Sequence, residues 1–334
     1  MDKRAFRADI LLLLTAGIWG FGFVAQSSGM EYVGPFTYNG VRFILGSLSL
    51  FPLILFRKSK GKLQTPRGTS RKKQFAMILA AGSVLFIAVA FQQLGLMFTT
   101  AGNAGFITGF YVVLTPVFGI FLGKKTRLPT WIGMGIAVIG IYFISMPENI
   151  AAINPGDLIT IISAVFWACH ILLIDRLVQK IDPLILSSGQ FAFCALYASI
   201  AAVVIEPFVK GWSSYFAPDS VQSWKTFAEL LGSPAAAAIM TGAAIPILYG
   251  GLASVGIAYT LQVVAQKDAP PAHATIILCL EGSFAAFGGM LLLEEEPGPF
   301  TLLGFVFMLG AMLITQWDVI FAKKQNSRQR SDAQ

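Results

Sequence analysis

Two stretches decide how this chain is built: residues 9–35, DILLLLTAGIWGFGFVAQSSGMEYVGP, and residues 157–183, DLITIISAVFWACHILLIDRLVQKIDP. Asp9, Trp19 and Pro35 of the first fall in register with Asp157, Trp167 and Pro183 of the second, at a shift of 148 residues without a gap. The same register pairs Thr15 with Ser163, Gly22 with His170, Asn39 with Ser187 and Arg42 with Gln190. Each stretch opens on an apolar run close to the roughly 20 residues that cross a hydrocarbon layer of about 30 Å at about 1.5 Å per residue. They read as the first spans of two copies of an internal repeat. A second block, Lys124 and Gly133 with Glu295 and Gly304, agrees under a slightly different shift, so the repeat is approximate.

The composition supports a membrane chain throughout. Of 334 residues 55% are hydrophobic and only 12% charged, against about 25% charged in ordinary soluble domains. Half the charge of a water-facing surface is missing. An aromatic content of 13% excludes a disordered chain, and three cysteines exclude a disulfide scaffold. Ten stretches are long and apolar enough to be read as spans: residues 10–25, 36–56, 75–98, 104–122, 131–146, 158–177, 184–205, 236–259, 272–293 and 300–321. The first follows Lys3, Arg4 and Arg7 but no small-residue cleavage site comes after it, so it is expected to be a retained helix.

Placement of charge gives the orientation. Of the 24 Lys and Arg, 21 lie in the two tails or in the even-numbered connections, including eight between residues 57 and 73. The opposite side carries Lys210 and Lys225 but also Glu31, Glu148, Asp157, Glu206, Asp219, Glu229 and the run Glu294, Glu295, Glu296. By the positive-inside rule, both termini are expected in the cytoplasm. The surplus of basic residues is then a topology signal and calls for no nucleic acid, although a basic loop of this kind also suits a lipid or nucleic-acid patch. Five spans per half is an odd number, so the halves run in opposite directions through the membrane. The expected fold is an all-α polytopic membrane protein of ten transmembrane helices, arranged as two inverted five-helix repeats, residues 1–150 and 151–322, with a basic tail at 323–334. Inverted repeats suit secondary transporters, whose halves exchange conformations to expose one central site alternately to each side. In the long outer connection, 206–234, Asp219 is expected to cap a short interfacial helix carrying Trp224 at headgroup level; a lid is the alternative.

The segments LLLLTAGIWGFGFVAQ, AGFITGFYVVLTPVFG and CLEGSFAAFGGMLLLEEEPGPFTLLGF, with the Arg42-Phe43 pair after Pro35, resemble the two tandem units of the EamA-type, ten-helix branch of the drug/metabolite transporter superfamily. The resemblance runs from about Asp9 to Phe321. It implies cytoplasmic termini and a central cavity for small metabolites, commonly amino acids or related compounds leaving the cell. Two positions depart from the family pattern: Gly123-Lys124 replaces a glycine-acid pair, and Gly282 replaces a proline after the acid of the ninth span, which is expected to loosen that helix.

Polar groups within the spans are costly and therefore informative. Arg42 and Glu281 lie at depths that differ by only about 5 Å in a layer of about 30 Å, and a direct or water-bridged pair is expected. Such a pair either pins the halves together, or serves transport with Glu281 taking a proton or substrate ammonium while Arg42 attracts a carboxylate. Thr15, Trp19, Gly22 and Gln26 share one helix face, and Ser163, Trp167 and His170 repeat it. Trp19 and Trp167 sit near mid-span, where two indoles either stack on a planar or cationic substrate or simply pack. Gln92, Tyr111 and Tyr249 complete the candidate set, with Gln93, Asn103, Tyr259 and Gln262 weaker members. The rows Ala101, Gly105, Gly109 and Gly250, Ser254, Ala258 read as close-packing faces.

Other chemistry finds little support. Cys169, Cys194 and Cys279 fall in different spans without metal-binding spacing and read as small apolar fillers, no phosphate-binding loop occurs, and neither histidine is accompanied by a plausible nucleophile on its helix. Neither a cofactor nor a metal is expected, and no enzymatic activity. The sequence thus reads as an inner-membrane secondary transporter or facilitator that exports a small metabolite, an amino acid or related compound, by alternating access, with the proton as an optional coupling ion. A proton-coupled drug or quaternary-amine exporter is the alternative, and a membrane-embedded enzyme acting on lipid a third.

Overall fold

The computed structural model describes residues 3–63, 70–123, 128–144, 154–216, 225–231, 236–269 and 271–315. Those residues are helical nearly throughout: α1 (Lys3–Met30), α2 (Pro35–Ser49), α3 (Phe51–Ser59), α4 (Arg71–Leu96), α5 (Ala101–Thr108), α6 (Tyr111–Ile120), α7 (Leu128–Ile144), α8 (Pro155–Leu177), α9 (Pro183–Val204), α10 (Glu206–Phe216), α11 (Phe227–Leu231), α12 (Ala236–Leu248), α13 (Thr260–Gln266), α14 (Pro271–Leu278), α15 (Glu281–Leu292) and α16 (Pro299–Thr315). Helix starts follow sequence signals. Pro35, Pro155 and Pro183 occupy first turns, where a missing N–H costs nothing. Side chains of Ser70, Thr100, Asn154 and Asp182 accept from the free N–H groups of Lys73, Asn103, Gly156 and Leu184.

Eight helical runs are long and apolar enough to cross a membrane: Phe6–Met30, Pro35–Ser59, Arg71–Leu96, Ala101–Ile120, Pro155–Leu177, Pro183–Val204, Thr241–Gln266 and Ala274–Leu292. Two shorter apolar helices, Trp131–Ile144 and Pro299–Ile314, occupy the fifth and tenth expected stretches and adjoin residues outside the described ranges. Phe121, Leu128, Phe208 and Ile245 are each at least 70% exposed, a surface suited to lipid and not to water. This is a polytopic helical membrane protein. The proposed interfacial helix at Asp219, with Trp224, and the basic tail at 323–334 lie outside the described residues. Within the long connection the structure instead describes α10 and α11, and Val33 and Lys225 pair across a single bridge.

Since lipid is as apolar as leucine, packing within the bundle depends on close approach and buried hydrogen bonds. The two hydroxyls paired by the 148-residue register do equivalent things: Thr15 donates to Ala258 O at 3.2 Å, and Ser163 donates to Ala88 O at 2.9 Å. Two spans are broken at corresponding points. Around Gly109-Phe110, backbone bonds run from Gly109 to Gly105, Phe110 to Ile107, Val112 to Gly109 and Leu114 to Phe110; around Cys279-Leu280 they run from Cys279 to Thr275, Leu280 to Ile277, Gly282 to Cys279 and Phe284 to Leu280. All four pairs are offset by 170 residues. The half-helices that follow begin with Tyr111 and Glu281, also 170 apart. Gly282, expected to loosen this helix, lies just after the break and lets the backbone of Phe106 approach: a Cβ there would meet Phe106 Cα at 3.0 Å. A third irregularity is a run of wide, π-type turns over Tyr249–Tyr259, which follows Pro246, a residue without an N–H to donate.

Candidate functional site

The three irregular segments, with α1, α2, α4 and α8, surround one internal cavity. Its wall contains seven of the nine residues singled out from the sequence: Trp19, Gln26, Arg42, Gln92, Tyr111, Trp167 and Glu281. Tyr259 and Gln262, weaker candidates, also line it, as does Ser254, which the sequence places in a packing row. Phe23, Thr108 and Ile171 complete the wall. Phe23 and Thr108 are helical neighbours of Trp19 and Tyr111 at i+4 and i−3, a spacing that would have found them. The open space is narrow, about 20 Å³, enough for one water-sized group. A metabolite enters only if the helices part.

Aromatic rings form one side. Trp19 and Trp167 lie with ring centroids 6.3 Å apart at 42°, and Tyr259 touches both, at 4.6 and 5.9 Å. Phe43 and Phe191, another pair at the 148-residue register, are 6.0 Å apart and lie 6.1 and 5.7 Å from Tyr259. Both indole N–H groups are engaged, which leaves the ring faces for contact. Trp19 donates to Ser254 O at 3.3 Å, and Trp167 to Gln92 Oε1 at 2.7 Å. The second bond continues as a directed chain: Gln92 Nε2 donates to Gln26 Oε1 at 3.2 Å, and Gln26 Nε2 to Gly22 O at 2.9 Å.

The ionisable groups were expected to meet directly or through water, and the direct form is not made among the described residues. Arg42 and Glu281 face the same cavity but form no direct ion pair among the described residues. The guanidinium instead lies over the rings of Tyr38 and Phe43, at 5.4 and 5.1 Å, a cation–π setting. Glu281 lies beside the Tyr111 hydroxyl, without a well-formed hydrogen bond. Partnerless buried polar atoms gather here: Arg42 Nε, Thr108 Oγ1, Tyr111 Oη, Glu281 Oε1 and both amide atoms of Gln262. Buried polar groups are normally satisfied, so such a cluster calls for an explanation.

Two candidates stand apart. His170 Nε2 shares a 2.8 Å hydrogen bond with Gln190 Oε1 and packs edge-on behind Trp167, outside the cavity wall. Tyr249 donates to Ile18 O at 2.9 Å and also lies off the wall. Cys169, Cys194 and Cys279 are free thiols. No group of three His, Cys, Asp or Glu among the described residues is placed to hold a metal ion.

Comparison with known proteins agrees with this picture. The sequence profile of the EamA-like transporter family matches residues 6–146 and again 154–317. An uncharacterized transporter of Archaeoglobus fulgidus is 28% identical over 93% of this chain and 86% of its own length. A Chlamydia muridarum protein, named an S-adenosylmethionine/S-adenosylhomocysteine transporter, is 22% identical over 92% and 91%. One solved crystal structure superposes with a TM-score of 0.61 at 15% identity, covering 93% of this chain and 96% of that one, a likeness of fold. These matches point to a transporter rather than an enzyme. The chain belongs to the EamA-like transporter family and is a membrane transporter of the drug/metabolite type.

Proposed function

We propose that this protein is a secondary transporter or facilitator of the bacterial inner membrane, with both termini cytoplasmic, that exports an amino acid or related small metabolite by alternating access. The ten-helix inverted repeat this requires, divided at 1–150 and 151–322, is supported by the double match of the family profile and by the two helix breaks offset by 170 residues. The excess of Lys and Arg on one face supports the orientation. One observation carries the substrate class: Arg42 enters the cavity without an acidic partner while Glu281 and Tyr111 enter it from two other helices. A zwitterion completes both. Its carboxylate meets the guanidinium, its ammonium meets Glu281, and its side chain lies against Trp19, Trp167 and Tyr259. The Chlamydia relative is named for a compound whose methionyl end is itself an α-amino acid.

A drug or quaternary-amine exporter is the second reading, favoured by the rings of Trp19, Trp167 and Tyr259, which line the same cavity as Glu281. An unpaired Arg42 in the same cavity opposes a substrate that is only cationic. Counterflow of a panel of labelled amino acids and organic cations in proteoliposomes tests the choice. Exchange of amino acids supports the first reading, exchange of cations alone the second, and no movement of either contradicts transport.

A further inference from the structure

The connections on the acidic face, the proposed outer face, contain two carboxylates that do more than cap helices. Glu206, the first residue of α10, accepts from Phe36 N and Thr37 N at 2.9 and 2.8 Å, from Thr37 Oγ1 at 2.7 Å and from Phe227 N at 3.2 Å. It thus closes the N-terminus of α2, a helix of the first half, and holds the start of α11 to the same point. Glu295, in the connection after α15, accepts from Ala101 N and Gly102 N at 2.6 and 3.1 Å, at the N-terminus of α5, again in the first half. In each case a second-half carboxylate meets a first-half helix end, where the unpaired N–H groups and the helix dipole favour negative charge.

On the opposite face, the place equivalent to the start of α2 is built differently. Position 34, which precedes α2, is glycine, and a Cβ there would collide with the Glu206 carboxyl. Its counterpart at the 148-residue shift is Asp182, which caps its own helix α9 by accepting from Leu184 N at 3.0 Å. The α2 end is capped by a carboxylate of the other half, and the α9 end carries a capping carboxylate of its own. At the same shift Glu206 corresponds to Lys58, and the second block of the repeat matches Glu295 to Lys124; an ammonium has no lone pair with which to accept. Packing shows the same asymmetry. Outer half-helices α5 and α15 interlock through small residues, so that a Cβ on Gly105 would strike the Ala285 methyl, while inner half-helices α6 and α14 touch far less. The 170-residue counterparts of Gly105 and Ala285 are the bulkier Thr275 and Thr115.

We infer that Glu206 and Glu295 form the outer gate of the transporter, a latch that holds the cavity closed to the outside at rest. The inference rests on the alternating-access reading. It is separable from a plain capping role because Gly34→Asp with Glu206→Ala moves the cap into the helix itself, as at Asp182, and cuts the tie between halves.

Accessibility of the cavity tests it. The native cysteines are replaced, Ser254→Cys places a thiol in the cavity wall, and an impermeant maleimide is applied to either face of oriented proteoliposomes. The parent is expected to react faster from the cytoplasmic face. G34D/E206A, and G34D/E206A with E295Q, are expected to react about tenfold or more faster from the outer face, the scale of shift from losing charge-assisted bonds in a two-state equilibrium. Far-slower unfolding is not required; only retention of a monodisperse, folded peak is. Outer-face labelling that stays at the parent rate in the folded variants overturns the latch and leaves alternating access standing. No labelling from either face in any variant contradicts alternating access itself.

Discussion

Tyr111 and Glu281 each begin the second half of a broken helix, 170 residues apart, and their side chains lie together in one cavity. Opposite them Arg42 is held over two aromatic rings and no carboxylate. A guanidinium and a carboxyl group thus enter the same space from different helices without forming a direct pair. That separation is the basis of the zwitterion reading.

Removing the carboxyl group is expected to weaken transport strongly. A hydrogen bond to a charged group contributes about 1.5–3 kcal/mol, so Glu281→Gln should lower kcat/KM about 10- to 100-fold. Tyr111→Phe, which leaves the charge in place, should cost about tenfold or less. Initial rates at several pH values also separate the roles: full activity of E281Q with an unchanged pH profile removes Glu281 from both.

The Gln92 amide connects two halves of the wall, since it accepts from Trp167 and donates to Gln26. Gln92→Leu leaves the indole N–H and the Gln26 carbonyl buried without partners, a cost of about 1–3 kcal/mol for each group. Thermal unfolding in detergent should show a lowered Tm, and Gln92→Glu, which keeps the acceptor for Trp167, should lose less.

Two glycines of α1 provide a packing comparison. A Cβ on Gly20 would strike Phe284 Cβ and come within 2.8 Å of Glu281 O and 2.9 Å of Ala285 N, whereas nothing lies within 4 Å of one on Gly17. Gly20→Ala should destabilise the protein by about 1–3 kcal/mol through overpacking. Gly17→Ala should be neutral or gain up to about 1 kcal/mol of helix propensity. Denaturation of both in one detergent checks the difference.

One carboxylate outside the spans gives a pH prediction. Slight burial would raise the Glu229 pKa, but Lys210 Nζ, at 2.7 and 2.9 Å from its oxygens, and the N–H and hydroxyl of Thr226 hold it down at about 2. A depressed carboxylate stabilises its fold above its ordinary value, near 4.5, and that contribution is lost as pH falls through about 2. Amide exchange across residues 225–231, corrected for intrinsic rate, should be steady from pH 7 to 5 and accelerate below about 4.5. Acceleration already at pH 6 would contradict the assignment.

The parts legible in the sequence are those that one register or one helical period encodes. Trp19 with Trp167, and Thr15 with Ser163, follow from the 148-residue shift, and seven of nine candidate residues share the cavity because mid-span polar groups have nowhere else to go. The points of the two helix breaks were not legible; only a loosening of the ninth helix at Gly282 was expected. Neither Gly109-Phe110 nor Cys279-Leu280 contains a proline, and Pro116 sits inside α6 instead. Only comparison of the two halves at a shift of 170 brings them out. Of the expected Arg42 and Glu281 pair, direct or water-bridged, the direct form is not made among the described residues: Tyr38 and Phe43 flank the guanidinium, and Tyr111 stands beside the carboxyl. His170 was drawn away by Gln190, twenty residues on in the neighbouring helix.

The most direct test compares an exchanged α-amino acid with its methyl ester and its decarboxylated amine, in counterflow, on the parent protein and on Arg42→Gln. If Arg42 receives the carboxylate, the parent moves the amino acid at least tenfold better than either analogue, and R42Q loses that preference while still folding. Ester and amine moving as well as the amino acid in the parent would contradict the account.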